Sequence, residues 1–108
     1  MSYRIEITDT AQRDFESIYE HIAFTLYAPD NAAGQLGRIE KAIMSLDEMP
    51  LRFKAYEFEP WRSRKMRVMP IDNYVVLYTP DKDSGVVTIN RVFYGGRDIN
   101  EILNERTN

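Results

Sequence analysis

The sequence contains no cysteine and a single histidine, His21. The lack of thiols excludes a disulfide scaffold, a thiolate zinc site and a cysteine nucleophile, and one histidine leaves a histidine metal cluster without partners. No apolar run approaches the ~20 residues that span a bilayer, and the first residues lack the apolar stretch of a secretion signal. We therefore expect a cytoplasmic protein with no membrane segment, no metal and no small-molecule cofactor.

The chain is short and free of internal repeats and low-complexity tracts. Its 108 residues, 44% of them hydrophobic, are enough for one ordinary core. Domains typically contain ~100 to 200 residues, and at this size folding removes roughly two thirds of the surface of the unfolded chain. We predict a single domain that covers residues 1–108.

The net charge of −3 is distributed unevenly along the chain. Residues 52–67 carry six basic and two acidic side chains, whereas residues 1–51 carry four basic and nine acidic ones. Counterion release rewards many simultaneous phosphate contacts, so an acidic chain is a poor indiscriminate binder of nucleic acid. A confined cationic strip can still receive one acidic partner segment.

Two amphipathic helices are predicted in the first half of the chain. The segment Thr8-Asp9-Thr10 offers side-chain oxygens for the free amides of a helix start, Ala28-Pro29 ends that helix, and Asp30 is the expected cap of the second. The two apolar stripes comprise Ala11, Phe15, Ile18, Tyr19, Ile22, Ala23 and Leu26, and then Ala33, Leu36, Ile39, Ile43 and Leu46. The short connection predicts an antiparallel helical hairpin whose stripes need a sheet to cover.

Strand patterns precede and follow this hairpin. Residues 3–7 alternate, and strand-like runs cover residues 65–71, 74–79 and 86–94, with turn chemistry at residues 72–73 and 80–85. The apolar phase shifts between residues 89 and 92, which predicts a bulge, and residues 52–63 are predicted as a loop with aromatic anchors. A short terminal helix is expected from Asp98. The prediction is an α+β fold in the order β-α-α-β-β-β-α, with the hairpin on a mainly antiparallel four-stranded sheet.

Basic residues from separate parts of the chain are expected to meet at one edge of the sheet. Arg67, Arg91 and Arg97 are the main candidates, and Arg64 and Lys65 belong to the same strip. Arginine offers a planar fork of donors to phosphate oxygens and stays charged, so such a cluster suits a phosphoryl transition state. The alternative is that these cations are solvated and balance the acidic helices.

Two aromatic residues are further candidates. A guanidinium beside Tyr94, such as that of Arg97, would favour the phenolate and suit the tyrosine to act as a base. Trp61 is placed to stack on a nucleobase. The alternatives are that Tyr94 is an ordinary aromatic of the sheet and that Trp61 covers the core.

Four segments of the chain carry recognisable motifs. The positions are Ala11, Asp14, Ile18 and Tyr19 in the first helix, Leu46 and Pro50 at the exit of the second, and Arg67 with residues 73–78 in the central hairpin. The most specific segment is residues 89–99, with the sequence INRVFYGGRDI. In their order and spacing these segments resemble the RelE/ParE family of bacterial toxin-antitoxin toxins over nearly the whole chain. The resemblance implies the predicted fold, a growth-inhibiting activity and neutralisation by an antitoxin encoded beside the toxin.

The resemblance implies two alternative targets. RelE-like members cut mRNA on the ribosome without metal, and ParE-like members inhibit DNA gyrase. Arg97, Lys65 and Arg67 match basic positions that the RelE-like enzymes use. RelE-like enzymes are expected to have an arginine directly after the hairpin tyrosine, where this chain has Val75. They are also expected to have a catalytic tyrosine in the terminal helix, where this chain has Leu103. These departures favour a ParE-like protein, while Tyr94 as a substitute base keeps the nuclease alternative open.

The site residues follow from these alternatives. In a nuclease the catalytic residues are expected to be Arg97, Arg67 and Tyr94, and the residues that contact a target are expected to be Lys65, Arg64, Arg91 and Trp61. An acidic antitoxin segment that folds on binding can cover the same cations. A third hypothesis is an inactive family member that only binds its antitoxin.

Overall fold

The computed structural model describes residues 2–95 of the chain. The helical elements are helix α1 (Asp9–Glu20), a π-helical turn (His21–Thr25), helix α2 (Pro29–Met44) and two 3₁₀ turns (Ser45–Asp47 and Pro50–Arg52). The strands are β1 (Arg4–Ile7), β2 (Lys54–Ala55), β3 (Arg67–Ile71), β4 (Tyr74–Asp81) and β5 (Val86–Tyr94). The terminal helix predicted from Asp98 lies outside the described residues. Of the helices between residues 2 and 95, none has the length and apolar character needed to cross a membrane.

The strands form one sheet in the order β1-β5-β4-β3-β2, with β1 parallel to β5 and the other neighbours antiparallel. The α+β class and the helical hairpin on a mainly antiparallel sheet are confirmed. The predicted number of four strands is wrong, because Lys54 and Ala55 pair with Val68 and Arg67. This fifth strand lies in the segment predicted as a loop, and two residues are too few to show an alternating pattern.

The helix starts agree only in part with the prediction. Thr8 is the N-cap of α1, and its hydroxyl oxygen accepts the N–H of Ala11 at 3.0 Å. The prediction that Asp30 caps α2 is wrong, because Ala28 occupies the cap position and Pro29 is the first helical residue. Proline suits that position since its missing N–H would have no partner there, and Asp30 then lies in the first turn, where the helix dipole favours an acid.

The apolar stripes also shift where the helices deviate from the predicted geometry. The π-helical turn ends in a bond from the N–H of Leu26 to the carbonyl of His21. This wider turn rotates the following residues, and Leu26 is exposed rather than buried. In α2 the predicted stripe member Ala33 is exposed. Its neighbour Ala32 is buried instead, on the same side of the helix as Ile39 and Ile43.

The meander follows the predicted turns with two exceptions. Pro80 and Asp81, predicted as turn residues, belong to β4 and pair with Val87 and Val86. Ile71 pairs with Tyr74, so Asp72 and Asn73 form a two-residue turn, and Asp72 has the positive φ of 53° that such turns require. The predicted bulge is confirmed at Asn90, since Tyr78 aligns with Ile89 and the preceding Leu77 with Arg91. The predicted start of the strand at residue 65 is wrong, because Lys65 has a φ of 62°, outside the β region.

The sheet has two unlike faces. The helix-covered face packs a large apolar core, whose strand members are Met69, Val76, Tyr78, Val87, Ile89 and Val92. The other face, here called the open face, has a smaller buried cluster of Tyr56, Met66, Leu77 and Phe93. Neighbouring strand residues point to opposite faces, so Leu77 and Tyr78 belong to different clusters.

Candidate functional site

The open face is partly covered by residues 56–66, here called the turn segment. The N–H of Tyr56 donates to the carbonyl of Met66 at 2.8 Å, and the N–H of Met66 donates to the carbonyl of Trp61 at 3.2 Å. These bonds hold the segment in a compact turn, and Trp61 packs half-buried against the open-face cluster. The predicted aromatic anchoring of this segment is therefore confirmed.

Arg91 forms a buried ion pair with Asp14 at the edge of the open face. Its Nε and Nη2 donate to the two carboxylate oxygens of Asp14 at 2.8 and 3.1 Å, and the N–H of Val92 donates to Asp14 at 2.9 Å. Strand β1 pairs with β5 only as far as Ile89. Beyond that point the carboxylate of Asp14, from α1, accepts the backbone N–H of Val92 at the edge of β5. Arg91 is only 8% exposed, and its Nη1 is buried without a hydrogen-bond partner.

Arg91 lines a cleft of about 460 Å³, here called the cationic cleft. Its other lining residues are Thr8, Thr10, Trp61, Arg64, Met66, Thr79 and Asn90. The guanidinium of Arg64 lies over the ring of Trp61, 5.0 Å from the ring centroid. The cleft thus brings together three of the four residues predicted to contact a target, namely Trp61, Arg64 and Arg91.

Arg67 lies on the opposite face, so the expectation that Arg67 and Arg91 meet is wrong. Arg67 aligns with Tyr78 on the helix-covered face and donates to the carbonyls of Leu51 and Phe53 at 3.3 and 2.7 Å. The hydroxyl of Tyr78 donates to the carbonyl of Pro50. Burial raises the pKa of Tyr78 against the lowering effect of the Arg67 and Arg52 charges. Arg97, the third cation of the expected cluster, lies outside the described residues.

The remaining predicted site residues lie apart from the cationic cleft. Lys65 is exposed in the turn before β3 and does not line it. Tyr94 is 53% exposed at the end of β5, with its ring edge-to-face against Tyr74 at 5.9 Å between centroids. Desolvation raises the pKa of the Tyr74 hydroxyl, and the neighbouring Tyr94 adds to this. The predicted neighbour of Tyr94, Arg97, belongs to the part that the structure does not describe.

An apolar groove between the helices is a feature that the sequence did not reveal. It has a volume of about 590 Å³, and Phe24 and Met44, which line it, are 67% and 56% exposed. Glu16, Glu20 and Glu40 also line it. Phe24 and Met44 fall outside the predicted stripes, and large apolar residues at such positions were the available signal.

The described residues favour binding of an anion over binding of a metal. No group of three His, Asp or Glu side chains between residues 2 and 95 is placed to hold a metal ion. The cationic cleft instead combines two guanidinium groups with hydroxyl and amide side chains, which are hydrogen-bond partners for an oxyanion.

The structure is a small α+β domain in which a helical hairpin covers one face of a sheet and a cationic cleft lies on the other, open face. The family model for the ParE toxin of type II toxin-antitoxin systems matches residues 5–99. The chain belongs to this toxin family, which confirms the resemblance found in the sequence.

Solved toxin structures share the fold. The toxin-antitoxin complex RelBE2 from Mycobacterium tuberculosis matches with a TM-score of 0.63 and 25% identity, covering 87% of this chain and 99% of that chain. The chromosomal ParDE system of P. aeruginosa matches with a TM-score of 0.70 and 17% identity, over 86% of this chain and 96% of that chain. The archaeal RelE-RelB complex from Pyrococcus horikoshii matches with a TM-score of 0.62 and 17% identity, covering 91% of this chain and 100% of that chain. Curated protein sequences gave no match.

Proposed function

We propose that this protein is a growth-inhibiting toxin that a cognate antitoxin neutralises, and that it acts on DNA gyrase. Membership of the ParE toxin family supports the toxin role. The placement of Arg67 carries the choice of target. Its guanidinium is held by backbone carbonyls on the helix-covered face, away from Arg91. Stabilising a phosphoryl transition state requires cations gathered around one phosphate, which these two arginines do not provide.

Two further positions support a target other than mRNA. Val75 stands where the resemblance to RelE-like enzymes places an arginine, and it packs against the open-face cluster. Leu103 stands where those enzymes have a catalytic tyrosine. A charge stabiliser and a base are therefore replaced by aliphatic side chains, and acid-base help of this kind typically contributes 10²- to 10⁴-fold to a rate.

The apolar groove supports the antitoxin partner. Exposed Phe24 and Met44 offer apolar surface between two helices, and an amphipathic helix binds by laying its apolar face into such a groove. Two of the similar solved structures are a toxin-antitoxin complex, RelBE2, and a chromosomal ParDE toxin-antitoxin system. We infer that an antitoxin encoded beside this toxin covers the groove.

Controlled expression in a bacterium tests the proposal. DNA supercoiling and transcript ends are measured in the same culture, with and without the co-encoded antitoxin. We expect growth arrest, loss of negative supercoiling and intact transcripts, all reversed by the antitoxin. Cleaved transcripts with normal supercoiling would contradict gyrase as the target, and unimpaired growth without the antitoxin would favour the inactive, antitoxin-binding alternative.

A second candidate function, mRNA cleavage on the ribosome, is favoured by the exposure of Tyr94. This hydroxyl is accessible at the end of β5, three residues before Arg97 in the sequence. If Tyr94 is a base, Tyr94→Phe should abolish transcript cleavage while leaving the fold intact, because only the hydroxyl is removed. Arg97→Ala should abolish cleavage as well. Growth arrest that persists in Tyr94→Phe without any transcript cleavage would exclude this candidate.

A further inference from the structure

The apolar groove between α1 and α2 has an acidic rim. Glu16 and Glu20 lie four residues apart on α1, and Glu40 lines the groove from α2. All three side chains are exposed, and no ion pair within residues 2–95 involves any of them. Among the same described residues, no lysine or arginine lines the groove. The groove therefore combines apolar walls with three uncompensated negative charges.

The length and lining of the groove suit one helical segment. On α1 its lining residues run from Gln12 to Glu20, which is a length of ~12 Å, or just over two helical turns. Phe24 and Met44 expose apolar surface along it, and the ring of Tyr19 lies edge-to-face against Phe24 with 6.3 Å between centroids. An amphipathic helix binds such a groove through apolar side chains spaced three or four residues apart.

The three carboxylates restrict which helix can cover the groove. A covering helix removes water from them, and a charge that loses water without gaining a partner is costly. Acidic side chains along the helix would add repulsion, and neutral ones would leave the carboxylates unpaired. Lysine and arginine fit because their aliphatic stems extend along an apolar surface while the charged end reaches its rim. The excess of nine acidic over four basic residues in the first 51 positions attracts the same kind of segment.

We propose that the apolar groove binds a basic amphipathic helix of the antitoxin, in which lysine or arginine side chains flank the apolar ones and pair with Glu16, Glu20 and Glu40. This inference rests on the proposed function, since it gives the chemistry of the partner segment that covers the groove. The three glutamates then determine specificity, because a helix with the same apolar face but acidic flanks is rejected.

Two synthetic helical peptides test the groove without the antitoxin. They share one apolar face of leucines, and the flanking positions are lysine in one peptide and glutamate in the other. Binding to the purified toxin is measured by the fluorescence anisotropy of a label on the peptide. We expect the lysine peptide to bind at least about tenfold more tightly, with a smaller difference at high salt, because salt screens exposed charges. Equal affinities, or tighter binding of the glutamate peptide, would overturn the proposal.

A matched pair of truncations locates the peptide site. Phe24 and Leu51 are both exposed apolar side chains, but only Phe24 lines the groove. Phe24→Ala should weaken binding of the lysine peptide about tenfold, since aromatic side chains contribute strongly to interfaces, whereas Leu51→Ala should change it less than about twofold. Equal effects of the two variants would show that the peptide binds elsewhere and would overturn the proposal.

Charge reversal separates pairing with the three glutamates from the effect of net charge. The triple variant Glu16→Lys, Glu20→Lys, Glu40→Lys should bind the glutamate peptide more tightly than the lysine peptide, which reverses the wild-type order. The control variant makes the same change in net charge at three exposed acids outside the groove, namely Glu48→Lys, Glu57→Lys and Asp83→Lys. It should keep the wild-type order. The same order in both folded variants, as checked by circular dichroism, would overturn the proposal.

The last measurement uses the complex with the co-encoded antitoxin. The triple variant Glu16→Gln, Glu20→Gln, Glu40→Gln should weaken antitoxin binding about tenfold, because the pairs with the basic helix are lost. Unchanged affinity would overturn the basic helix while leaving the antitoxin as the partner. A wild-type toxin that binds no co-encoded antitoxin would instead contradict the proposed function, and with it the source of the helix.

Discussion

The two faces of the sheet are built from the same strands but differ in what covers them. On the helix-covered face, α1 and α2 bury a continuous core, and the polar groups there, such as Arg67 and Tyr78, are satisfied by backbone carbonyls. Within residues 2–95, the open face is partly covered by the turn segment and keeps a cleft beside Arg91. Regular helices fill the space over a sheet, whereas a short irregular segment leaves part of that space open as a cleft.

The largest expected effect concerns the ion pair that borders the open face. Asp14→Ala leaves the buried charge of Arg91 unpaired and removes the acceptor for the N–H of Val92. We expect a loss of about 3–5 kcal/mol in the free energy of unfolding, measured by urea denaturation. Glu16→Ala removes an exposed acid from the same helix and should change it by about 0.5 kcal/mol or less. Similar losses in the two variants would show that the ion pair is not a structural element.

A pair of truncations compares the packing of the two faces. Ile39, on the buried side of α2, is 0% exposed, and Met66 is 3% exposed on the open face. Truncation to alanine in a core costs about 2–5 kcal/mol, with more where the surroundings cannot relax. We expect Ile39→Ala to lie near the upper limit and Met66→Ala near the lower one in urea denaturation, since the turn segment can settle into the gap. The reverse order would contradict the comparison.

The smallest expected effect tests the polar groups of the helix-covered face. Tyr78→Phe removes the hydrogen bond to the carbonyl of Pro50 and should cost about 0.5–1.5 kcal/mol at neutral pH. Burial raises the pKa of Tyr78, so the folded state keeps this proton when the unfolded chain loses it, near pH ~10. The wild-type protein should therefore lose stability as the pH rises above ~10 towards the folded-state pKa, and the variant should lose less.

Tyr74→Phe is the matched variant for the alkaline measurement. The pKa of Tyr74 is also raised by burial, but its side chain is closer to the surface. Wild-type thermal stability, measured between pH 8 and pH 11, should fall as the pH rises. Tyr74→Phe should reduce this fall less than Tyr78→Phe does. If thermal stability falls equally with rising pH in the wild type and in Tyr78→Phe, the Tyr78 hydroxyl is not buried as described.

Local patterns predicted most of the fold. The helix start at residues 8–10, the Asp72-Asn73 turn and the bulge between residues 89 and 92 each depend on neighbours in the sequence, and each is confirmed. Two of the errors arose where the backbone leaves its regular geometry. Lys65 adopts a positive φ, and the π-helical turn at residues 21–25 turns Leu26 outward, and neither has a local sequence signal.

The candidate site was predicted in part. The sequence selected Trp61, Arg64 and Arg91, which share the cationic cleft, but it also grouped Arg67 with Arg91. Charge clustering along the chain does not specify the face of the sheet. The register does: Arg67 aligns with Tyr78, whereas Arg91 aligns with Leu77, so the two arginines belong to opposite faces.

The sequence by itself determined the layers of this protein, because the periodicity of apolar residues defines which side of each helix and strand is buried. The sequence also specified the toxin family through the order of its motifs. Only the tertiary structure decided what the charged residues do. Arg91 and Asp14 are 77 positions apart, and their pairing depends on α1 lying along the edge of β5, a long-range contact that no local pattern encodes.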